Sequence, residues 1–343
     1  LLRYLKKIFY NSVAELRITS FIIDDEAVVE QPVINEEAGT IVFAVNEEVE
    51  SLKFTPIIEI SEGATITPAS GVAQDFSNNK KVTYTVTAED GTVKVYTAFV
   101  EGTRKVLKYS FEDWKEGSKN DELLPKDLWA GSAAGAGILG GTLLRKETRE
   151  DGTYAAKLIT FEYPNEPNSL VPKITAGSIF IGKFDMMPAL QGDRLSCTKF
   201  GLDAETVSLG GKPLCFKGVY KYESGSNYLD ASNYEDVKPV DIKDKGQIQA
   251  VLYKVQTGED GKEIVLTGHD VNTSELRVAV ANIIVEDIKE YTPFNIEFEY
   301  LQEYDRNAKY KFAIVCSSSK DGDLFKGAGG STLIVDEFEV ICE

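Results

Sequence analysis

The sequence predicts an all-β protein made of two successive antiparallel sandwiches, the second larger than the first. Three observations predict it. Short runs from Ile18 to Val100 alternate apolar and polar residues at period two, the spacing of a half-buried strand. Turn residues punctuate them, above all Glu89-Asp90-Gly91-Thr92, where Asp-Gly is placed to close a hairpin. From about Lys105 onward, nine or more further strand-like runs follow in about 240 residues, separated by long polar stretches, the pattern of a double sheet.

Residues 1–15 stand apart as an N-terminal extension. The segment from Leu1 to Val13 carries Arg3, Lys6 and Lys7, no acid, and Leu2, Leu5, Ile8 and Phe9 at helical spacing. That describes a short helix packed on a domain. Three cations at ~1 kcal/mol each are few for holding an anionic membrane surface.

Residues 16–103 form the first predicted sandwich, with strands at 18–23, 40–45, 52–58, 81–88 and 93–100. The ribs Thr83 to Val86 and Val93 to Tyr96 alternate as a hairpin with one face on a core requires. This region resembles the small immunoglobulin-like domains of surface proteins from Bacteroidetes-type bacteria. The resemblance rests on Ile18-Thr19-Ser20-Phe21, the run from Gly63 through Thr67-Pro68 to Gly71, Gln74-Asp75-Phe76-Ser77, and the run from Tyr84 to Gly91. It implies an immunoglobulin-like spacer carrying another module outward, with Asp75, Glu89 and Asp90 serving turns.

Residues 104–343 form the second sandwich, predicted as jelly-roll-like. Strands are expected at 106–112, 154–160, 178–184, 214–222, 248–255, 276–282, 294–300, 310–316 and 332–340. The loop from Tyr222 to Gln247 is longer than a plain connection needs, and long loops carry binding surfaces. This region resembles the putative carbohydrate metabolism domain of Bacteroidetes, a β-jelly-roll family. The matching residues are Phe111-Glu112-Asp113-Trp114, Tyr154 to Leu158, Ala176 to Phe184, Lys212-Pro213 leading to Gly218 through Tyr222, Ser317-Ser318-Ser319, and the closing run from Phe325 to Phe338. The resemblance implies an exported protein of the periplasm or outer-membrane surface, lipid-anchored through a removed leader, and linked to glycan use.

Composition narrows the partners. The chain has 343 residues and a net charge of −18, which disfavours nucleic acid and anionic membranes. Its single histidine, His269, excludes a His-rich zinc site and leaves a Ser/His/Asp arrangement dependent on that one residue. Cys197, Cys215, Cys316 and Cys342 contain no C-x-x-C pair and read mainly as small buried hydrophobes. No apolar run reaches the ~18 to 20 residues that span a bilayer.

Two constellations carry candidate chemistry. Glu112 on the first strand of the second region and Asp336 with Glu337 on the last suit a hard cation that takes oxygen ligands. The arrangement is similar to the structural calcium site of many carbohydrate-binding jelly rolls, so the cofactor expectation is none or a structural calcium at Glu112 and Asp336. The alternative places Asp336 and Glu337 on opposite faces of one strand.

Sugars need flat aromatic faces beside hydrogen-bonding groups, and the candidates are Trp114, Trp129, Tyr220, Tyr222, Tyr228 and Tyr234. Tyr220 and Tyr222 share one strand face with Phe216, either as core or as a platform. Tyr228 and Tyr234 sit in a polar stretch and are the expected exposed pair.

Glycoside hydrolysis needs two carboxyl groups across a cleft. Glu297 with Glu299 and Glu337 with Glu339 each share a strand face, as do the acids of any solvated sheet. The glycine-rich runs 131–137 and 327–330 lack a Gly-Lys-Ser/Thr ending and read as turns or close backbone approaches. Ser317-Ser318-Ser319 has no nucleophile elbow around it. Asp321-Gly322-Asp323 offers two loop carboxylates without the rest of a calcium loop.

The expected function is glycan binding or utilisation through a jelly-roll module contacting glycan or glycan-uptake surface proteins. The alternatives are a glycoside hydrolase with paired carboxylates and an adhesin-type assembly subunit with no sugar site.

Overall fold

A computed structural model describes residues 16–136, 139–168 and 171–343. The helix expected over residues 1–15 lies outside the described residues. The chain divides into two compact units, one ending at Val106 and the other running Leu107–Cys342.

In the first unit, Ile18–Ile22 pairs antiparallel with Ile57–Ile60. A mixed sheet contains the hairpin of Val28–Asn35 with Thr40–Asn46, and the antiparallel pair of Val82–Thr87 with Val93–Tyr109. Between them, Thr40–Asn46 runs parallel to Val93–Tyr109. The sequence predicts antiparallel pairing throughout. The parallel pair arises because the chain leaves this sheet after Asn46 and returns only at Thr65–Thr67 and Val82–Thr87, a connection long enough for a crossover.

The core is aromatic: Phe43 meets Phe76 edge-on at 5.1 Å and Phe54 at 5.8 Å. The expected hairpin turn is present, with Asp90 Oδ1 accepting the Thr92 N–H at 2.8 Å and Gly91 at φ +85°. Asp75 likewise caps a turn through Ser77.

The second unit is a sandwich of two antiparallel sheets. The first sheet orders Leu144–Thr148, Tyr154–Ile159, Thr332–Cys342, Pro213–Glu223 and Ile288–Glu297. The second orders Leu266–Thr267, Thr198–Phe200, Ser178–Phe184, Tyr310–Ser317, Gly246–Lys254, Arg277–Val285 and Glu299–Tyr300. Leu158, Phe216, Phe294, Leu333 and Phe338 from the first meet Ile181, Ile248, Leu252, Phe312 and Ile314 from the second in one core.

Tyr310–Ser317 reads as a continuous apolar run because both its faces are covered. Phe312, Ile314 and Cys316 enter the main core, while Ala313 and Val315 join a second cluster with Phe180, Phe200, Val251 and Tyr253 on the sheet's outer side. Alternation sends neighbours to opposite faces, and here both faces are apolar. Gly201, at φ +92°, lets Tyr253 reach the Phe200 carbonyl, since a Cβ there would stand 2.8 Å from the tyrosine ring.

The structure departs from the opposite-face expectation at Asp336 and Glu337. Glu337 has φ +54°, and the register against Pro213–Glu223 slips between Asp336 and Glu339. This bulge turns both carboxylates toward Arg149, which pairs with Asp336 at 2.5 Å and also with Glu337. A bulge re-aims side chains that a regular strand would separate.

The stretch from Tyr222 to Gln247 also departs from a plain loop. Tyr228–Asp230 forms the middle strand of a three-stranded sheet between Lys238–Val240 and Lys326–Ala328. Among the described residues, no helix is long and apolar enough to cross a membrane. Cys197, Cys316 and Cys342 are buried.

Candidate binding cleft on the outer face of the second sheet

At one end of the second sheet, the outer face changes from apolar to polar. Along Gly246–Lys254, Val251 and Tyr253 lie under the second cluster. Gln247 and Gln249, the same face two and four residues earlier, border open space instead. Ser178, Val315 and Ser317 continue this floor. Walls come from Phe184 to Thr198, Gly268 to Asn272, Lys320 to Phe325, and Ser132 to Ala136, enclosing a cavity of about 180 Å³.

Gln249, Asn272 and Asp323 are among the polar groups that line this cleft. Gln249, only 3% exposed, donates from Nε2 to Asn272 Oδ1 at 3.1 Å. The Asn272 side chain is also near enough to the Asp323 carboxyl to favour its charged form. Burial pushes Asp323 above the usual carboxylate range, with the Asp321 charge adding to the same direction.

Across the cleft, Arg194 donates from Nη2 to the Asn168 carbonyl at 2.8 Å, and its guanidinium lies 5.3 Å from the centre of the Phe325 ring. Burial lowers its affinity for a proton, and the Tyr234 phenol is near enough to oppose that. Phe325 occupies the left-handed region at φ +56°, directly after the single turn Gly322–Leu324. A non-glycine residue held there stores of order 1–3 kcal/mol, so the fold holds this ring at the cleft against a local preference.

The rim is tied by His269. Its Nε2 lies 2.7 Å from Asp193 Oδ1, while Asp193 also accepts from Ser196 Oγ at 2.6 Å. The Ser196 hydroxyl first and the histidine second hold the Asp193 carboxyl below its ordinary value. Gly268 N–H to Leu195 O, at 2.9 Å, joins the same two turns.

The predicted aromatic candidates fall in different places. Trp129 is 6% exposed and packs on Tyr109 and Phe111. It also borders a second hollow of about 670 Å³ with Lys115, Lys126 and Lys183. Trp114 is half-buried and donates from Nε1 to Phe111 O at 2.6 Å. Tyr222 is 2% exposed and donates to Ser318 O at 3.0 Å, while Tyr220 packs against Phe294. The Phe216, Tyr220 and Tyr222 stripe is therefore core.

The expectation that Tyr228 is exposed is corrected: strand pairing on both sides buries it, and its hydroxyl donates to Asp321 Oδ2 at 3.0 Å. Tyr234 is 39% exposed, and its phenol is near enough to act on the charge of Arg194.

The predicted carboxylates do not converge on this cleft. Asp336 is held by Arg149, and Glu112 accepts the Tyr154 N–H at 3.1 Å. Among the described residues, no group of three or more His, Cys, Asp or Glu side chains is placed to hold a metal ion. Glu297 and Glu299 are both exposed to solvent. Asp321 is occupied by Lys320 and Tyr228, while Asp323 faces the cleft.

The serine run and the late glycines are structural. Ser318 and Ser319 both bond Thr160 Oγ1 at 2.7 Å. Gly327 leaves no room for a Cβ, which would stand 2.4 Å from Ser319 Oγ. Gly131 is a close backbone approach of the same kind, where a Cβ would stand 2.3 Å from Ser178 O.

Sequence reasoning missed Arg194, Gln249, Asn272 and Phe325. One signal was available: Gln249 interrupts the apolar run from Ile248 to Tyr253, and a polar side chain inside a doubly covered strand marks where the cover ends.

A cleft laid on one face of a β-sandwich, in a chain with a separate smaller β unit before it, defines a two-unit all-β protein. The chain belongs to the putative carbohydrate metabolism domain family, whose model matches residues 87–341. The SGBP N-terminal domain model matches residues 18–100.

Two solved structures are similar along much of the chain. One is a putative glycoside hydrolase from Bacteroides thetaiotaomicron, 30% identical, covering 96% of this chain and 98% of that one with a TM-score of 0.59. The other is a putative glycoside hydrolase from Bacteroides vulgatus, 28% identical, covering 69% of this chain and 98% of that one with a TM-score of 0.56. No curated protein matches.

Proposed function

We propose that the second unit binds glycan in the cleft between Arg194 and Asp323, as part of an exported, lipid-anchored protein of a glycan-utilisation system. The observation that carries this reading is the placing of the hydrogen-bonded Gln249 and Asn272 and the Asp323 carboxyl in one cleft with the Phe184 and Phe325 rings. Sugar recognition needs a few convergent polar groups beside apolar ring faces. The family and the SGBP N-terminal match support the glycan context and the surface or periplasmic placement.

The test is calorimetric titration of the full chain with a panel of plant and host polysaccharides, repeated with Arg194→Ala and Asp323→Ala. Saturable binding that both variants weaken supports the reading. Silence across the panel, or binding that neither variant changes, overturns it.

One observation favours hydrolysis as a second reading. Asp323 is a carboxyl raised by burial inside a cleft, which is how a general acid is kept protonated. The second carboxylate would have to be Asp321, once released from Lys320 and Tyr228. Reducing-end release that stops in Asp323→Asn distinguishes hydrolysis from binding.

A further inference from the structure

We infer that this cleft takes the end of a glycan chain, its terminal sugar or the tip of a branch, and not a stretch from the middle of a chain. The inference rests on the glycan reading and adds which part of a glycan is recognised.

Among the described residues, the floor offers no way through. It is the face of three neighbouring strands in register, where Ser178 pairs with Ser317, Ser317 with Gln247, and Val315 with Gln249. Hydrogen-bonded strands lie ~4.8 Å apart, and no sugar ring passes between them.

The walls are tied to one another in a circuit around that floor. Gly135 lies against Phe184 and Met186, since a Cβ there would stand 2.8 Å from the ring and 3.0 Å from the sulfur. From Met186 the chain itself runs on to Leu195, whose carbonyl accepts the Gly268 N–H at 2.9 Å. His269 and Asp193 double this tie at the rim. Asn272 then stands near enough to the Asp323 carboxyl to favour its charge. Next to Asp323, Gly322 rests on Ala176, where an added Cβ would stand 2.3 Å from the alanine Cβ. The Ala176 carbonyl accepts from Ser132 Oγ at 2.8 Å, which returns to the wall that carries Gly135. The residues of this circuit, Asp193 and His269 apart, line the cavity.

A groove open at two ends lets a linear chain enter on one side and leave on the other. Here the floor is closed and the wall is continuous, so a ligand enters and leaves by one mouth. A linear glycan can place only its last units inside. Opening a passage would break one of the ties, and each buried hydrogen bond broken strands a group at ~1–3 kcal/mol. The volume of about 180 Å³ lies below the ~300–1,000 Å³ of a pocket that buries a drug-sized ligand, which suits a chain end and not a run of several sugars.

The experiment titrates the full chain with the linear members of the polysaccharide panel, xylan, mannan and hyaluronan among them, each intact and after limited hydrolysis, at equal mass. Where hydrolysis raises the number of chain ends about tenfold, the apparent affinity by mass is expected to rise about tenfold with it. Asp323→Ala is expected to weaken that binding several-fold, which assigns it to the cleft. Affinity by mass that stays level or falls on hydrolysis overturns the inference and leaves the glycan reading standing. End-dependent binding that neither Asp323→Ala nor Arg194→Ala changes overturns both, as does silence from every polymer in both forms.

Discussion

The carboxylate of Asp244 accepts a hydrogen bond from Ser331 Oγ at 2.7 Å, at a position only 3% exposed. The same oxygen also takes Ser319 Oγ and the Ala328 N–H, while the other takes the Lys245 N–H. Ser331 Oγ itself accepts from Gly225 N–H at 2.9 Å. One buried anion thus joins segments from three parts of the second unit beside the Lys320 to Phe325 wall. Removing it leaves several donors stranded, so Asp244→Ala is expected to lower stability by about 2–4 kcal/mol. Chemical denaturation measures this, with the exposed Glu299→Ala as a reference expected to stay within about 0.5 kcal/mol.

Asp230 provides a pH test with the opposite character. Lys326 at 2.7 Å, followed by Ser232, holds its carboxyl down to about 2 against an ordinary 3.8. A depressed folded-state value contributes stability that is present above 3.8 and lost as pH falls toward 2. The melting midpoints of wild type and Asp230→Asn should therefore differ at neutral pH, draw together as pH falls from about 4, and converge only at about pH 2 and below. Parallel curves across that range would remove this account.

Arg149 and Asp336 bear on the calcium expectation. With Asp336 only 2% exposed and paired to the guanidinium, Arg149→Leu leaves an uncompensated buried carboxylate, a loss of about 3 kcal/mol or more. Because the guanidinium already occupies that carboxylate, chelator and added calcium are both expected to leave the wild-type melting midpoint unchanged. A calcium-dependent rise would instead support the cation expectation.

Tyr228 and Tyr234 separate stability from recognition. Tyr228→Phe removes the bond to Asp321 and should destabilise by about 1 kcal/mol. Tyr234→Ala, at an exposed position whose phenol acts on the Arg194 charge, should weaken glycan binding several-fold with no change in melting. The reverse pattern would place recognition away from the cleft.

The aromatic candidates show what limits a reading of the chain alone. Tyr220 and Tyr222 belong to a strand whose alternation is visible, yet alternation does not say which face a second sheet covers. Tyr228 is flanked by Ser, Gly, Asn and Asp and reads as loop, but pairing with Lys326–Ala328, nearly a hundred residues later, makes it strand. The Asp336 and Glu337 pair reads as two faces until the bulge puts both on Arg149.

Local chemistry determined the all-β class, the Asp90-Gly91 hairpin and most of the strands of the second unit, because period-two alternation and turn residues act over a few neighbours. The cleft was decided by tertiary structure. Arg194, Gln249, Asn272 and Asp323 are scattered over 130 residues of sequence, and no local pattern links them. They meet because antiparallel pairing brings the Gln249 strand beside Val315 and Ser317, and because the outer apolar cluster ends before covering that corner of the sheet.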